Sequence, residues 1–297
     1  MATDTAPLLS PAFLAQLERL ELVSRKIFRG RLKGERRSTR KGQSVEFADF
    51  RSYVPGDDLR FIDWNTYARL DRLFLKMFFE EEDLHFYALI DDSASMGFGS
   101  PTKLRYATQL AAALGFIGLI RSDRVRIETI SQPAGLVGAV YRGRASSWRL
   151  LDQLGSLSVA ENPLPLNQGI KNFCVRNSGK GIALIISDLL DKEGYQEGLK
   201  YLLSRQMDVY VIQVLSAEEL DPELVGDLKL VDIEDQDVAE ISVSPTLLRR
   251  YKQTLAAFTG EAKEFCTRRG ISYLLASNQV PVEQLVSSYL RTRGLVR

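Results

Sequence analysis

From residue 84 onward, short apolar runs alternate with stretches of helical periodicity. The runs are LHFYALI (84–90), VRIETI (125–130), GIALIIS (181–187), VYVIQVL (209–215) and ISYLLA (271–276). Several are nearly continuous Ile, Leu and Val, the pattern of strands covered on both faces. Between them, Lys103 to Ile120 places Leu104, Ala107, Ala111 and Leu114 on one helical face, and further helices are expected near 146–154, 166–175 and 195–205. Ser100-Pro101 predicts an N-cap and first turn for the helix at 103. Ser244-Pro245 does the same for a long helix that Gly270 ends. GLVGAVY (135–141) is expected to add one antiparallel edge. Such alternation predicts an α/β fold: a doubly wound, mostly parallel sheet flanked by helices.

The first 83 residues follow other patterns. PAFLAQLERLELVSRKIF (11–28) carries Phe13, Leu14, Leu17, Leu20 and Val23 at helical spacing and predicts an amphipathic helix. A run with Arg29, Arg31, Lys33, Arg36, Arg37, Arg40 and Lys41 follows, broken only by Glu35. It has too little apolar surface to pack and is expected as an exposed loop, either a solvated linker or a dock for an acidic partner. Residues 46–83 mix Phe, Tyr and Trp with Asp and Arg. Pro55-Gly56-Asp57-Asp58 reads as a turn, Asp63 as the cap of a short helix from Trp64, and Arg51, Arg60 and Arg69 face Asp57, Asp58 and Asp63 in a charge-laced platform. The expected organisation is therefore 1–45, helix and basic loop; 46–83, aromatic platform; and 84–297, the α/β domain. A two-stranded ribbon is inserted around 217–243.

Composition narrows the chemistry. Lys and Arg number 39 against 38 Asp and Glu in 297 residues, a net charge of +1 that argues against a dedicated polyanion binder. Cys174 and Cys266 stand far apart, and His85 is the single histidine, expected as a packed or edge residue of the first strand. Zinc clusters and Ser-His or Cys-His catalysis thus have little to draw on. The start of the chain lacks the pattern of a signal peptide, and LAAALGFIGLI (110–120) is shorter than the roughly 20 residues that cross a bilayer. A cytoplasmic protein is expected. No P-loop pattern occurs, and Trp64 and Trp148 form no stacking array.

The most informative stretch is LIDDSASM (89–96). Asp91, Ser93 and Ser95 follow an apolar strand at the spacing D-x-S-x-S, so one loop can turn three oxygens toward a point, as hard cations require. Asp188 follows GIALIIS in the same way. In a sheet of order 3-2-1-4-5-6 these two strands are neighbours at the switch point where ligands bind. Asp92 and Asp191 add negative potential nearby. Structural duties compete with this reading, since each serine and Asp188 can also cap a turn or a helix.

Asp91, Ser93, Ser95 and Asp188 resemble the metal-ion-dependent adhesion site of a von Willebrand factor A domain. VEFADFRSYVPGDDLRFIDWNTYARLDRLFLKMFFEEE (45–82) resembles the family called domain of unknown function 58, whose members carry such a domain; the likeness extends over nearly the whole chain after about residue 15. The resemblance implies a Mg²⁺ ion at these four residues, with a free position for an acidic oxygen from a partner protein. It also implies an adaptor or chaperone-like role beside a MoxR-type AAA+ ATPase. One position departs from the pattern: Leu164 stands where a threonine ligand is expected, so Mg²⁺ binding is expected to be weakened, with Asn162 or Asn167 as a substitute amide donor or a water in the gap. The function expected is a non-catalytic interaction module with no catalytic residues. A metal-independent scaffold and, further off, a phosphoesterase using Asp91, Asp92 and Asp188 are the alternatives.

Overall fold

In the computed structural model, residues 7–24, 47–78, 84–131, 138–160, 163–223, 226–231, 238–292 and 294–297 are described. The chain divides into two compact units, one of residues 28–83 and one of residues 1–27 with 84–297. The basic run 29–41 lies outside the described residues.

In the smaller unit, β1 (Phe47–Ser52) pairs antiparallel with β2 (Phe74–Phe78). The Pro55-Gly56 turn closes on Asp57, whose carboxylate accepts hydrogen bonds from Arg51 at 2.6 Å and from the Val54 N–H at 2.9 Å. Helix α1 (Pro11–Leu17) belongs to the larger unit; in the smaller one, Asp63 caps α2 (Trp64–Leu70) by accepting from the Asn65 N–H. Its ion pair is with Lys76, at 3.4 Å, while Asp58 pairs with Arg60 at 2.6 Å. Val54, Leu59, Trp64 and Leu70 remain more than half exposed.

The larger unit is built on five parallel strands in the order β4-β3-β5-β6-β9: β3 (His85–Ile90), β4 (Arg124–Thr129), β5 (Gly181–Ser187), β6 (Asp208–Leu215) and β9 (Ser272–Ser277). Alternation along the strands shows why both faces are apolar. Phe86, Ala88 and Ile90 of β3 enter one core and Tyr87 and Leu89 the other; Ile182, Leu184 and Ile186 of β5 oppose Ala183 and Ile185 in the same way. Each such fully buried Leu or Ile contributes roughly 2 kcal/mol.

Helices cover both faces. On the first lie α1, α3 (Lys103–Ile120), α4 (Ser147–Gly155) and the C-terminal turns Val282–Leu290. On the second lie α5 (Leu166–Arg176), α6 (Gln196–Ser204) and α8 (Pro245–Arg268). After β6 comes the short α7 (Ala217–Leu220), then an antiparallel ribbon of β7 (Gly226–Val231) and β8 (Val238–Val243). The expected doubly wound sheet and the ribbon are both present.

Three details differ from expectation. Helix α1 stops at Leu17 instead of running to residue 28, because Leu22 is buried in the core, Glu21 exchanges two backbone hydrogen bonds with Arg297, and the Val23 N–H donates to the Leu295 carbonyl. The N-cap of α3 is Thr102, whose hydroxyl accepts from the Arg105 N–H at 3.2 Å. Ser100 and Pro101 are held outside the helix, their carbonyls accepting from Gln279 and Asn278. Of the edge expected at 135–141, Tyr141 alone pairs, trading two backbone bonds with Val125; residues 135–137 lie outside the described set. Counting that bridge as a third strand reproduces the order 3-2-1-4-5-6.

Close helix–strand contact fixes the end of the sheet that carries the site. A Cβ on Gly169 of α5 would lie 1.9 Å from the Ile130 carbonyl oxygen, so Gly169→Ala is expected to cost roughly 3 kcal/mol or more in urea denaturation. Gly260, in α8 with nothing within 4 Å of its would-be Cβ, is the control: Gly260→Ala is expected to stabilise by about 0.5–1 kcal/mol. Burial pushes the thiol of Cys174 up to about 11 and that of Cys266 up to about 12. Because these folded values lie above the ordinary 9.0, the neutral thiols favour the fold below pH 9, and that contribution fades as pH rises through about 11 and 12. Both cysteines are accordingly expected to resist Ellman's reagent at pH 8 until the protein is unfolded, and denaturation midpoints are expected to fall steadily above pH 9.

Candidate functional site

The carboxyl ends of β3 and β5 are neighbours, with Ile90 in register with Ile186. Asp91 leaves the first and Asp188 the second. Asp91, Ser93, Ser95 and Asp188 line one hollow of about 200 Å³, together with Pro163, Leu164 and Asp191. All four residues expected to act together are thus brought together. Leu164 is on the wall as expected, contributing no side-chain oxygen.

Four serines shape the pocket. Ser93 and Ser95 are half-buried with Oγ atoms 3.1 Å apart. Ser131, two residues past the end of β4, donates its hydroxyl to Asp91 Oδ1 at 2.8 Å. Its N–H donates to Asp92 Oδ1 at 2.9 Å, and its carbonyl accepts from the Leu164 N–H at 2.5 Å. Ser187 donates to Asp91 Oδ2 at 2.5 Å and accepts from the Leu189 N–H at 2.9 Å. Neither Ser131 nor Ser187 was singled out by sequence, although each stands at a strand end as Asp91 and Asp188 do.

Burial, then the charge of Asp188, lifts the Asp91 carboxyl above the usual carboxylate range; the hydrogen bonds from Ser187 and Ser93 pull the other way. Asp188 has a different partner. Its Oδ2 lies 2.7 Å from Lys103 Nζ, which also lies 2.6 Å from Glu219 Oε1. The Lys103 side chain is 0% exposed. Burial would depress its pKa, but the two carboxylates outweigh that and the net direction is up. Lys103 is the second feature that sequence reasoning passed over; the signal was a lysine opening a largely apolar helix.

The loop after Asp188 turns sharply. Leu189 adopts a left-handed backbone, φ 61°, an arrangement that costs a non-glycine residue about 1–2 kcal/mol and is held here by its own burial and by Ser187. Gln213 steadies the turn by donating to the Asp188 carbonyl at 2.7 Å. Asp191 then ties this loop to the Leu164 loop, accepting the Leu166 N–H at the start of α5 at 2.6 Å. Asn167 is not a substitute donor for the hollow: its amide binds Gly198 N–H and the Glu193 carbonyl. Asn162 lies outside the described residues. His85 sits half-buried at the opposite end of β3, 3.2 Å from the Tyr87 hydroxyl, roughly 20 Å of strand away from Asp91.

Two carboxylates and two hydroxyls are oxygen donors of the kind Mg²⁺ takes. The donor chemistry therefore fits a hard cation. Among the described residues, no cluster of three or more His, Cys, Asp or Glu side chains is placed to hold a metal, so a cation here depends on the serine hydroxyls.

The sequence profile of DUF58, described as a protein of unknown function, matches residues 49–261. This chain belongs to the DUF58 family. Uncharacterized proteins of Mycobacterium bovis and Mycobacterium tuberculosis are each 28% identical to the DUF58 chain over 252 residues, covering 83% of it and 79% of their own length. Among solved structures, BatB from Bacteroides thetaiotaomicron is similar with a TM-score of 0.42 at 14% identity, over 70% of this chain and 98% of that one. A von Willebrand factor type A protein from Catenulispora acidiphila gives 0.38 at 8% identity, over 73% and 43%. The SpRpn10 VWA domain gives 0.37 at 11%, over 68% and 92%. Among the described residues of the DUF58 chain, no helix is long and apolar enough to cross a membrane.

The buried hydroxyl of Ser131 joins the loop after β4 to the loop after β3. Ser131→Ala is expected to destabilise the protein by about 1–3 kcal/mol, measured by urea denaturation, since it removes two buried hydrogen bonds, one to Asp91 Oδ1 and one from the Asp92 N–H.

Proposed function

We propose that this DUF58 protein is a non-catalytic interaction module of the von Willebrand A type, which engages a partner protein at the mouth of the Asp91–Asp188 hollow. The observation that supports this best is the convergence of Asp91, Ser93, Ser95 and Asp188 on a single hollow at adjacent strand ends. In this reading the four residues hold Mg²⁺, which when bound supplies a coordination position for a carboxylate of the partner. Ser131 and Ser187 keep both Asp91 oxygens aimed, Asp191 holds the Leu164 loop in place, and Leu164 with Pro163 forms an apolar wall that limits water at the mouth.

A MoxR-type AAA+ ATPase in the cytoplasm is the partner we favour, with the DUF58 chain as adaptor or chaperone-like companion; this rests on the family resemblance. The exposed Val54, Leu59, Trp64 and Leu70 of the smaller unit supply a second contact surface. A hydrolytic role has less support. The only histidine is remote from Asp91, and among the described residues no arginine lines the hollow to clamp a phosphate.

A metal-independent scaffold is the second reading, favoured by two observations: Lys103 already pairs with Asp188, and Leu164 contributes no oxygen. Pull-down of a MoxR-type ATPase from the same organism tests both. The cation reading expects capture to fall about tenfold with EDTA and with Asp91→Ala, a loss equal to one well-formed charged contact. Capture that resists EDTA but is lost in Asp91→Ala selects the scaffold reading. Capture insensitive to both removes the hollow from the interaction.

A further inference from the structure

Lys103 is a buried ammonium shared between two carboxylates with different surroundings. Asp188 lines the hollow; Glu219 does not. Glu219 is held on the far side by a capping box, its Oε2 accepting the Ser216 N–H at 2.7 Å and its own N–H donating to Ser216 Oγ at 3.1 Å. Its carbonyl accepts from the Tyr251 hydroxyl at 2.7 Å. Glu219 therefore anchors Lys103 from behind, and Lys103 reaches Asp188 from within the protein, where neither solvent nor a partner touches it.

A buried ion pair is weak evidence of stability, since desolvation offsets much of the attraction and an apolar replacement of similar size often serves as well. What Lys103 changes is the charge presented to the hollow. One Asp188 oxygen is already committed to an ammonium, so an incoming divalent cation meets Asp91, two neutral hydroxyls and a half-neutralised Asp188. We infer that Lys103 is a tethered counter-cation that lowers the intrinsic affinity of the hollow for divalent ions, so that a cation is held firmly only together with an anionic group brought by the partner. Lys103 is thus a positioning residue: it acts on the ion through Asp188. This inference rests on the reading of the hollow as a cation site.

The test uses the full chain and Mn²⁺ or Mg²⁺ alone in titration calorimetry. Lys103→Met combined with Glu219→Gln removes one positive and one negative charge, leaving the net charge of the protein unchanged and no unpaired carboxylate behind the site. The expected result is divalent binding about tenfold tighter than in the wild type, the scale of one lost ion-pair competitor at intermediate dielectric. Lys103→Gln, which keeps two N–H donors for the two carboxylates, serves if the double variant fails to fold, with a change in the same direction. A purely structural fastener would lower melting temperature without tightening binding. Equal or weaker affinity in a folded variant overturns the inference while leaving the cation reading intact. No divalent binding in either protein overturns both.

Discussion

Two like-charged carboxylates, Asp91 and Asp188, are buried at the ends of adjacent parallel strands, and everything around them follows from the need to keep them there. The register of β3 with β5 forces the proximity. Repulsion and desolvation both oppose it, as the raised Asp91 shows. The protein answers with unequal partners: hydroxyls from Ser131 and Ser187 on Asp91, an ammonium from Lys103 on Asp188. One carboxylate is held by hydroxyls alone, and the other shares a single ammonium with Glu219. That asymmetry makes the hollow a place where positive charge is welcome yet not strongly demanded.

These partners also explain how separate loops become one site. Ser131 links the loops after β3 and β4 to the Leu164 segment; Asp191 links that segment to the loop after β5; Glu219 links Lys103 to the segment preceding the ribbon. The strain at Leu189 and the close approach of Gly169 to Ile130 are local consequences of bringing these ends together. In a doubly wound sheet the strand ends at the switch point are the natural meeting place for such loops.

The strands were legible in the chain because a parallel strand buried on both faces has little choice but Ile, Leu and Val, and GIALIIS (181–187) reads that way at sight. Asp91, Ser93, Ser95 and Asp188 were legible because each follows such a run. Ser131 was not, since a lone serine after a strand looks like any turn residue until its hydroxyl is seen on Asp91. Lys103 was hidden for a related reason: helical periodicity marks it as the polar start of α3, and only the fold brings Asp188, 85 residues away, against it. The expected extension of α1 beyond Leu17 failed where tertiary pairing with the C-terminal residues outweighed local helical spacing.

Oxygens from two strand ends are held around one point, which we propose accepts a hard cation. The most direct test of this is a crystal of the full chain soaked in Mn²⁺ and measured at the manganese absorption edge. The expected result is one anomalous peak bounded by Asp91, Ser93, Ser95 and Asp188, within about 2.5 Å of at least one serine hydroxyl. Serine hydroxyls turned away from Asp91 and Asp188, with anomalous signal only elsewhere on the molecule, would contradict it.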